Sequence, residues 1–304
     1  MTNARAARAS YATAAAFVAA LTDRLRQEAV TSRHSLAELQ RQFAYQRLLA
    51  RVFADPASLW VLKGGTGLLV RFPDARHSID IDLFRAGDSL ESAVAELRTL
   101  SGRDLGDFFR FEVGAWSRPV LAVEGARVSV AAYVGARRFA DFKVDIVSGL
   151  HVTGEPELVR PVPLVDLPGL TPPLCRVYPL ADHIADKVCG IVERHGPEQR
   201  PSTRYRDLVD LVLIAQRAEP QADAVTAALR NEFARRGLRS PGTMDVPDRS
   251  WAGGYAGEAR RAGLAGELAR LDGALRLVRA LVDPVLTGTA RGVWSPASDS
   301  WELL

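Results

Sequence analysis

The spacing of apolar residues predicts that the first half of the chain mixes helices and strands. Helical spacing predicts helices over residues 13–29, 35–53, 64–71 and 88–100. Alternation of apolar and polar residues predicts strands over 58–62, 78–84, 108–115, 127–134 and 139–147. Ser35 and Glu38 form a capping box ahead of the second helix, and Asp88 gives the fourth an acidic cap.

The second half has the spacing of helices only. These are predicted over residues 180–194, 205–217, 221–236 and 258–282, with a loop over 237–254. The proline-rich stretch 156–173 is expected to be irregular and to separate two domains, 1–155 and 156–304. The tail after Gly288 is expected to be poorly ordered or an exposed arm, unless Trp294 and Trp301 dock it. The fold class is therefore α+β, with a mixed sheet flanked by helices and then an α-helical half.

Composition excludes some classes of protein. No apolar run approaches the roughly 20 uncharged residues of a membrane span. The Ala- and Arg-rich N-terminus resembles a transit peptide in composition, but its apolar spacing favours an amphipathic helix of the folded protein. Cys175 and Cys189 are the two cysteines, so a disulfide framework is not expected and a reducing cytoplasm fits best.

Lysine is rare in a chain with 39 basic residues, because only Lys63, Lys143 and Lys187 are lysine. A coding bias towards arginine explains the general preference. The three lysines still merit inspection, since a compact ammonium and a planar guanidinium are not interchangeable.

The most informative stretch is KGGTGLLVRFPDARHSIDIDLF, residues 63–84. Strand alternation points Asp80 and Asp82 to one face, where two adjacent carboxylates repel each other unless a cation lies between them. Such hard oxygen ligands suit Mg²⁺, which proteins often hold by one or two carboxylates plus substrate phosphates. The turn of Gly64, Gly65 and Thr66 offers backbone N–H groups that can cradle a phosphate. Together these features indicate phosphoryl or nucleotidyl transfer.

Further polar residues extend this pattern along the chain. Alternation in FKVDIV places Lys143 and Asp145 on one strand face, and Asp145 becomes a third carboxylate if that strand pairs with 78–84. An ordinary half-exposed strand with a Lys–Asp pair is the alternative. Lys187 lies in the middle of a predicted helix and could reach phosphates, or could be a surface lysine beside His183 or Asp186.

Asp207 and Asp210 lie one turn apart near the start of the next predicted helix and share a face. The alternative is a pair of N-terminal carboxylates that favour the helix dipole. Around the motifs lie arginines that together could bind an RNA backbone, although each alone is more typical of a solvated surface: Arg71, Arg76, Arg137, Arg138, Arg194, Arg200, Arg204 and Arg206.

The order GGT-x-L, R-x-S-x-D-I-D-L, K-x-D, helix lysine and R-D-L-x-D-L resembles the AbiEii-type nucleotidyltransferases, which include the MenT toxins of mycobacterial toxin–antitoxin pairs. These belong to the polymerase-beta-like nucleotidyltransferase superfamily. The resemblance spans residues 63–211, and fourteen residues separate Gly65 from Asp80, a spacing typical of this branch. It implies a nucleotidyltransferase domain over 1–155 and a helical domain over 156–304 that completes the active-site cleft.

The resemblance also implies roles for individual residues. Gly64, Gly65 and Thr66 would hold the triphosphate, and Asp80 and Asp82 would bind the metal, in a two-metal Mg²⁺ site. Asp145 would be the third carboxylate and metal ligand. Lys187 and Asp207 would serve nucleotide binding and activity, with Asp210 as a competing register for Asp207. The resemblance thus implies three sets of positions. Nucleotide binding falls to Gly64, Gly65, Thr66, Ser78 and Lys187, and metal binding to Asp80, Asp82 and Asp145. Catalysis falls to Asp80, Asp82, Asp145, Lys187 and Asp207.

Ser78 matches the family's motif serine two residues before Asp80. The resemblance implies regulation there, because a phosphate on Ser78 would place about −1.5 to −2 charge beside the carboxylates and repel a triphosphate. The alternative is a serine that hydrogen-bonds the turn.

The resulting hypothesis is a cytoplasmic Mg²⁺-dependent toxin that adds nucleotides from an NTP to the 3′ end of tRNA and has a cognate antitoxin. One alternative keeps the chemistry but uses a small hydroxyl compound or a protein side chain as acceptor. Another is a non-catalytic regulatory module with the same fold.

Overall fold

The computed structural model describes residues 10–87, 89–118, 125–149 and 152–303. The chain divides into two compact units. The first runs through Pro73 and then contains His77–Leu150 and Glu157–Val177; the second contains Asp74–Arg76, His151–Pro156 and the chain from Tyr178 onward. The first unit therefore extends beyond the proline-rich stretch where the sequence predicts a boundary, because one strand within that stretch and one just after it belong to the sheet.

The first unit contains the predicted mixture of helices and strands. Its helices are α1 (Ala14–Thr31), α2 (Leu36–Val52), α3 (Gly64–Arg71) and α4 (Leu90–Ser101). Its strands are β1 (Trp60–Lys63), β2 (Asp80–Arg85), β3 (Phe109–Ser117), β4 (Gly125–Val134), β5 (Arg137–Val147), β6 (Glu157–Val159) and β7 (Cys175–Val177). The capping box of Ser35 and Glu38 is confirmed. The N-cap of α4 is Ser89, whose hydroxyl accepts from the amide of Ser92, and the predicted cap Asp88 lies outside the described residues.

The described strands of this unit form one mixed seven-stranded sheet in the order β3-β4-β5-β2-β1-β7-β6. Strands β3, β4 and β5 are antiparallel neighbours, β2 is parallel to β5 and antiparallel to β1, and β1 is parallel to β7. The short strand β6 pairs with β7, so part of the stretch predicted to be irregular is a strand. Beside β5, the central strand β2 places its polar residues in the middle of the sheet.

One face of the sheet is covered by helices and carries the core. Phe17 of α1, Leu48 of α2 and Leu97 of α4 are buried in the same apolar cluster as Ile81 of β2 and Val144 of β5. Each fully buried side chain of this size contributes about 1.5–3 kcal/mol. Because side chains alternate along a strand, burial of the apolar residues turns their polar neighbours to the opposite face.

The second unit is largely helical, as predicted. Its helices are α5 (Leu180–Val192), α6 (Tyr205–Arg217), α7 (Ala222–Arg236), α8 (Trp251–Arg261) and α9 (Leu271–Leu286), with a 3₁₀ turn at Gly266–Ala269. Two short hairpins accompany them: β8 (Arg194–His195) with β9 (Arg200–Pro201) between α5 and α6, and β10 (Val293–Ser295) with β11 (Ser300–Glu302) after α9.

The predicted single helix over 258–282 is wrong. Helix α8 begins seven residues earlier, inside the predicted loop, and ends at Arg261, while α9 begins at Leu271. The break occurs where Gly263 and Gly266 adopt positive φ angles of 72° and 60°, a left-handed conformation that glycine tolerates and that ends a helix. The apolar period continues across the break and conceals it.

The tail is a docked hairpin, so the expectation of a poorly ordered arm is wrong. The Trp294 side chain is fully buried and its indole N–H donates to the Ala215 carbonyl at 2.8 Å. Trp301 donates likewise to the Leu281 carbonyl at 3.0 Å. The alternative that the two tryptophans dock this segment is confirmed. None of the helices within the described ranges is both long and apolar enough to cross a bilayer.

Candidate active site

The glycine turn and the acidic strand are in direct contact. Gly64 follows β1 with a φ of +63°, and a Cβ atom at this position would lie 1.8 Å from Oδ2 of Asp82. Lys63, the preceding residue, is the register partner of Asp82 in the antiparallel pair of β1 and β2. Position 64 therefore requires glycine for two reasons, the left-handed backbone and the approach of the carboxylate.

Helix α3 presents its N-terminus to this carboxylate. The first amides of a helix have no partner inside the helix, and α3 has no capping side chain among the described residues. These are the amides of Gly64, Gly65 and Thr66. The positive end of the helix favours an anion at this point. The Thr66 hydroxyl donates to the carbonyl of Asp80 at 2.7 Å and so ties the helix to β2.

Strand β2 carries two carboxylates on one face, as alternation predicts. Asp80 and Asp82 are partly exposed, whereas Ile81 and Leu83 between and after them are fully buried. Ile79, which the sequence pattern assigns to the apolar face, is 53% exposed because the strand begins only at Asp80.

The third carboxylate lies beside this pair. Strand β5 is the parallel neighbour of β2, and its register places Asp145 opposite Asp82 and Lys143 opposite Asp80. The strand pairing that makes Asp145 a third carboxylate beside Asp80 and Asp82 is therefore confirmed. The catalytic role of Asp145 remains a prediction. Lys143 donates from its ammonium to the Ser129 hydroxyl at 2.5 Å.

Asp145 is held by an arginine that the sequence analysis did not single out. Arg127 of β4 is the register partner of Asp145. Its guanidinium binds the carboxylate through two bonds, Nε to Oδ1 at 2.7 Å and Nη2 to Oδ2 at 2.5 Å. The hydrogen bond to Asp145 above all, and then the charges of Asp145, Asp80 and Asp82, raise the pKa of Arg127 above its ordinary value. The guanidinium therefore lies in the field of all three carboxylates.

Ser78 lies just before β2 and is 3% exposed. Its hydroxyl donates to Oδ1 of Asp80 at 3.2 Å, and its carbonyl accepts from the Tyr45 hydroxyl at 3.3 Å. The serine thus positions the first carboxylate, which agrees with the alternative of a hydrogen-bonding residue. A regulatory role at the same position stays a prediction.

These carboxylates are better suited to a cation that binds together with a substrate than to a metal ion held by protein ligands alone. Among the described residues, no group of three or more His, Cys, Asp and Glu side chains is arranged to hold a metal ion. Asp145 is turned to Arg127, which leaves Asp80 and Asp82 as the pair with a common face. One or two carboxylates, completed by water and phosphate oxygens, is the coordination that Mg²⁺ usually has in nucleotide enzymes.

The same sheet face continues into an open concavity of about 630 Å³ over β3, β4 and β5. Its lining begins next to the carboxylates, at Ile79, Ser129 and Lys143, and reaches Tyr133 and Asp141. Oppositely charged side chains alternate along it.

The second unit gathers the other predicted site residues into a buried cluster. The Lys187 ammonium lies 2.5 Å from Oδ2 of Asp210 and 3.3 Å from Oδ1 of Asp207. Arg76, whose segment belongs to this unit, donates to both oxygens of Asp210 at 2.9 and 2.8 Å. Arg204 pairs with Asp207 at 2.5 Å. Asp210 thus has two cations against its carboxylate and is the main partner of Lys187.

The charges of this cluster stabilise one another. Burial alone would lower the pKa of Lys187, but the carboxylates of Asp210 and Asp207 outweigh it and raise that pKa. Burial alone would raise the pKa of Asp210, but Lys187 and Arg76 hold it below its ordinary value. Lys187, Arg76 and Asp210 are therefore charged at neutral pH.

Comparison with known proteins identifies the family. The family described as nucleotidyl transferase AbiEii toxin of type IV toxin–antitoxin systems matches residues 47–287, a span that includes both clusters. The chain belongs to this family. It is a nucleotidyltransferase toxin of the type IV class.

Solved structures resemble this AbiEii protein in fold. MenT4, a nucleotidyltransferase toxin from Mycobacterium tuberculosis, matches with a TM-score of 0.53 and 18% identity over 89% of this chain and 99% of its own. JHP933 from Helicobacter pylori matches with a TM-score of 0.48 and 13% identity over 83% and 93%. No curated protein matches the sequence.

The structure of this AbiEii chain changes which arginines are available to bind RNA and which lie near the carboxylates. Arg76 and Arg71, both candidates for an RNA surface, are mostly buried and paired, Arg76 with Asp210 and Arg71 with Glu157. Arg127, which the sequence analysis missed, is the arginine in the field of the three carboxylates. A one-residue bulge in the β4–β5 pair determines which residue of β4 lies opposite Asp145. Counting residues outward from the hairpin turn ignores this bulge and therefore misses the pair of Arg127 and Asp145.

Proposed function

We propose that this AbiEii protein transfers a nucleotide from a ribonucleoside triphosphate to the 3′ end of tRNA and so blocks translation. The observation that carries the proposal is the contact between Gly64 and Asp82, which brings the first turn of α3 against the carboxylate pair of β2. A triphosphate with its cation fits an anion-binding helix end beside two carboxylates. The reducing cytoplasm suits the free, buried thiols of Cys175 and Cys189.

In this proposal the first unit supplies the reacting groups. The amides of Gly64, Gly65 and Thr66 would bind phosphate oxygens, and Asp80 and Asp82 would hold Mg²⁺. When bound, the cation neutralises charge on the phosphates and orients them for in-line displacement. The acceptor hydroxyl oxygen bonds to the α-phosphorus, the bond from that phosphorus to the bridging oxygen breaks, and pyrophosphate leaves. Asp145 accepts the hydroxyl proton.

Lys187 and Asp207 are proposed to serve nucleotide binding. Support comes from their positions in the family's motif order, since both lie within the matched span. In the helical unit both charges are already paired, so the ammonium has to exchange Asp210 or Asp207 for a phosphate in order to act. Such a lysine would bind phosphate as a point charge.

The sheet supports an acceptor on its β5 side. The glycine turn lies on the β1 side of β2, and Asp145 lies on the other side. A hydroxyl that gives its proton to Asp145 therefore approaches over β5 and β4, where the open concavity lies. An open surface favours a polymer end over a small hydroxyl compound, because a small molecule usually occupies a closed pocket.

Labelled nucleotide should enter total tRNA in the presence of Mg²⁺, and Asp80→Ala should reduce the rate by about a thousandfold, since it removes charge from the metal pair. Each of the four triphosphates is tested by gel autoradiography. Asp23→Ala is the control: Asp23 is exposed on α1, accepts a hydrogen bond from Gln27 at 3.0 Å and does not line the concavity, and its loss should change the rate less than twofold.

The alternatives give other outcomes in the same assay. If label enters protein or a small-molecule fraction while tRNA stays unlabelled, the acceptor is a protein side chain or a small hydroxyl compound instead of tRNA. No label from any triphosphate, with a folded protein, would favour a non-catalytic regulatory module and contradict the proposal.

A cognate antitoxin is proposed to act at Ser78. A phosphate there would replace the hydrogen bond from Ser78 to Asp80 with repulsion between anions. Because the side chain is 3% exposed, phosphorylation requires local opening of the segment before β2.

Stoichiometric phosphorylation of Ser78, verified by mass spectrometry, should lower nucleotidyl transfer by about a hundredfold or more, because the added charge opposes the incoming triphosphate. The Ser78→Ala variant should resist the modification, so the same treatment should leave the activity of that variant unchanged. Full activity of a protein phosphorylated at Ser78 would rule out this mode of control.

A further inference from the structure

Arg127 occupies one side of the carboxylate group. Its two bonds to Asp145, at 2.7 and 2.5 Å, use both carboxylate oxygens. The Asp145 side chain is 17% exposed and that of Arg127 48%, so the arginine approaches the carboxylate from the solvent side. Planar two-point binding of this kind is specific to a guanidinium.

The neighbouring lysine does not take this place. Lys143 is the register partner of Asp80, but its ammonium is hydrogen-bonded to Ser129. The guanidinium of Arg127 is thus the cation that binds Asp145 directly, and the charges of Asp80 and Asp82 also act on it.

A cation bound to Asp80 and Asp82 would lie near the guanidinium of Arg127 and be repelled by it. Asp82 and Asp145 are opposite each other on adjacent strands, which lie about 5 Å apart. A divalent ion shared by these carboxylates would lie close to a positive charge held in fixed geometry, and repulsion at such distances is worth at least a factor of ten in affinity even near the surface.

We propose that Arg127 is a positioning residue that holds Asp145 and weakens cation binding until a nucleotide arrives. The phosphates then take the guanidinium in place of Asp145, which becomes available to the cation and to the acceptor hydroxyl. No covalent bond changes in this exchange. The inference rests on the proposed function, since it assigns the exchange to a nucleoside triphosphate with its cation.

The test measures binding of Mn²⁺ alone, from the EPR signal of the free ion, to the full-length protein without nucleotide. Arg127→Gln should bind Mn²⁺ about tenfold more tightly than the wild type, because a competing charge is gone. Arg138→Gln is the matched control: its guanidinium also binds an aspartate of β5, Asp141, four residues from Asp145. Its Mn²⁺ affinity should change less than twofold.

A second measurement uses a non-hydrolysable triphosphate with Mn²⁺. Here Arg127→Gln should bind the nucleotide about fivefold or more weakly, because the phosphates lose a two-point donor. Arg127→Lys, which keeps the charge but loses the fork, should gain at most about threefold in affinity for Mn²⁺ alone. This variant carries the test if Arg127→Gln does not fold.

Equal or weaker Mn²⁺ binding by Arg127→Gln would overturn the inference, since it would show that the arginine only supports Asp145. So would unchanged nucleotide affinity in that variant. Neither measurement requires turnover. A protein that transfers nothing to tRNA yet shows both affinity changes would refute the proposed acceptor and leave the role of Arg127 intact.

Discussion

Replacing Gly64 by alanine is expected to reduce nucleotidyl transfer by about a hundredfold or more. The new methyl group would lie 1.8 Å from Oδ2 of Asp82 and 2.6 Å from its Cγ, so the carboxylate has to move away from the helix end. Displacement of a reacting group by about 1 Å can cost a factor of one hundred in rate. The left-handed backbone adds a loss of about 1–2 kcal/mol in the free energy of unfolding.

A second glycine separates the two effects. Gly237 also has a φ of +63°, at the end of α7, and a Cβ atom there would have no neighbour within 4 Å. Gly237→Ala should therefore lose similar backbone stability, about 1 kcal/mol, and keep its activity. Steady-state rates and urea unfolding of both variants provide the comparison. Equal activity in the two variants would show that Asp82 tolerates displacement, and the assigned site would be wrong.

Replacing Asp210 by asparagine is expected to lower the free energy of unfolding by about 3–5 kcal/mol, because Arg76 and Lys187 then remain buried without their main anion. Urea unfolding at pH 7 measures the loss. Asp207→Asn is the matched change one turn earlier. It should lower stability by only about 1 kcal/mol, since Arg204 is 44% exposed and Asp210 still binds Lys187. A larger loss for Asp207→Asn would contradict the assignment of Asp210 as the principal partner.

The same pair predicts a dependence on pH. The folded-state pKa of Asp210 lies below its ordinary value of 3.8, so the stability from this group is fully present above about pH 4 and is lost as the pH falls through the folded-state pKa. The difference between wild type and Asp210→Asn should therefore shrink below pH 4. The raised pKa of Lys187 acts only in strongly basic solution, where its contribution is lost as the pH rises.

The sequence predicts which carboxylates of the first unit share a face because the signals are local. Alternation in a strand fixes that Asp80 and Asp82 share a face, and a glycine pair at a strand end predicts the turn whatever the remainder of the chain does. The strand pairing that brings Asp145 beside them is a long-range contact. The sequence predicts it only if the two strands pair, and the register confirms that pairing.

Local sequence patterns gave wrong predictions where tertiary packing determines the backbone conformation. The apolar period through 258–282 continues across two left-handed glycines, so a helix pattern hides a break between α8 and α9. The tail is polar and rich in small residues, but the buried indole of Trp294 and the partly buried indole of Trp301 fix it against carbonyl groups of α6 and α9. Propensity carries no information about such distant partners.

By itself the sequence determined the fold class, the family and the residues of the carboxylate strand, since each follows from spacing along a continuous segment. Only the tertiary structure decided the partners of the charged residues. A single extra residue at Phe139 shifts the β4–β5 register, so that Arg127 lies opposite Asp145 instead of Val144. Because side chains alternate between faces, that shift decides whether the third carboxylate has an arginine beside it.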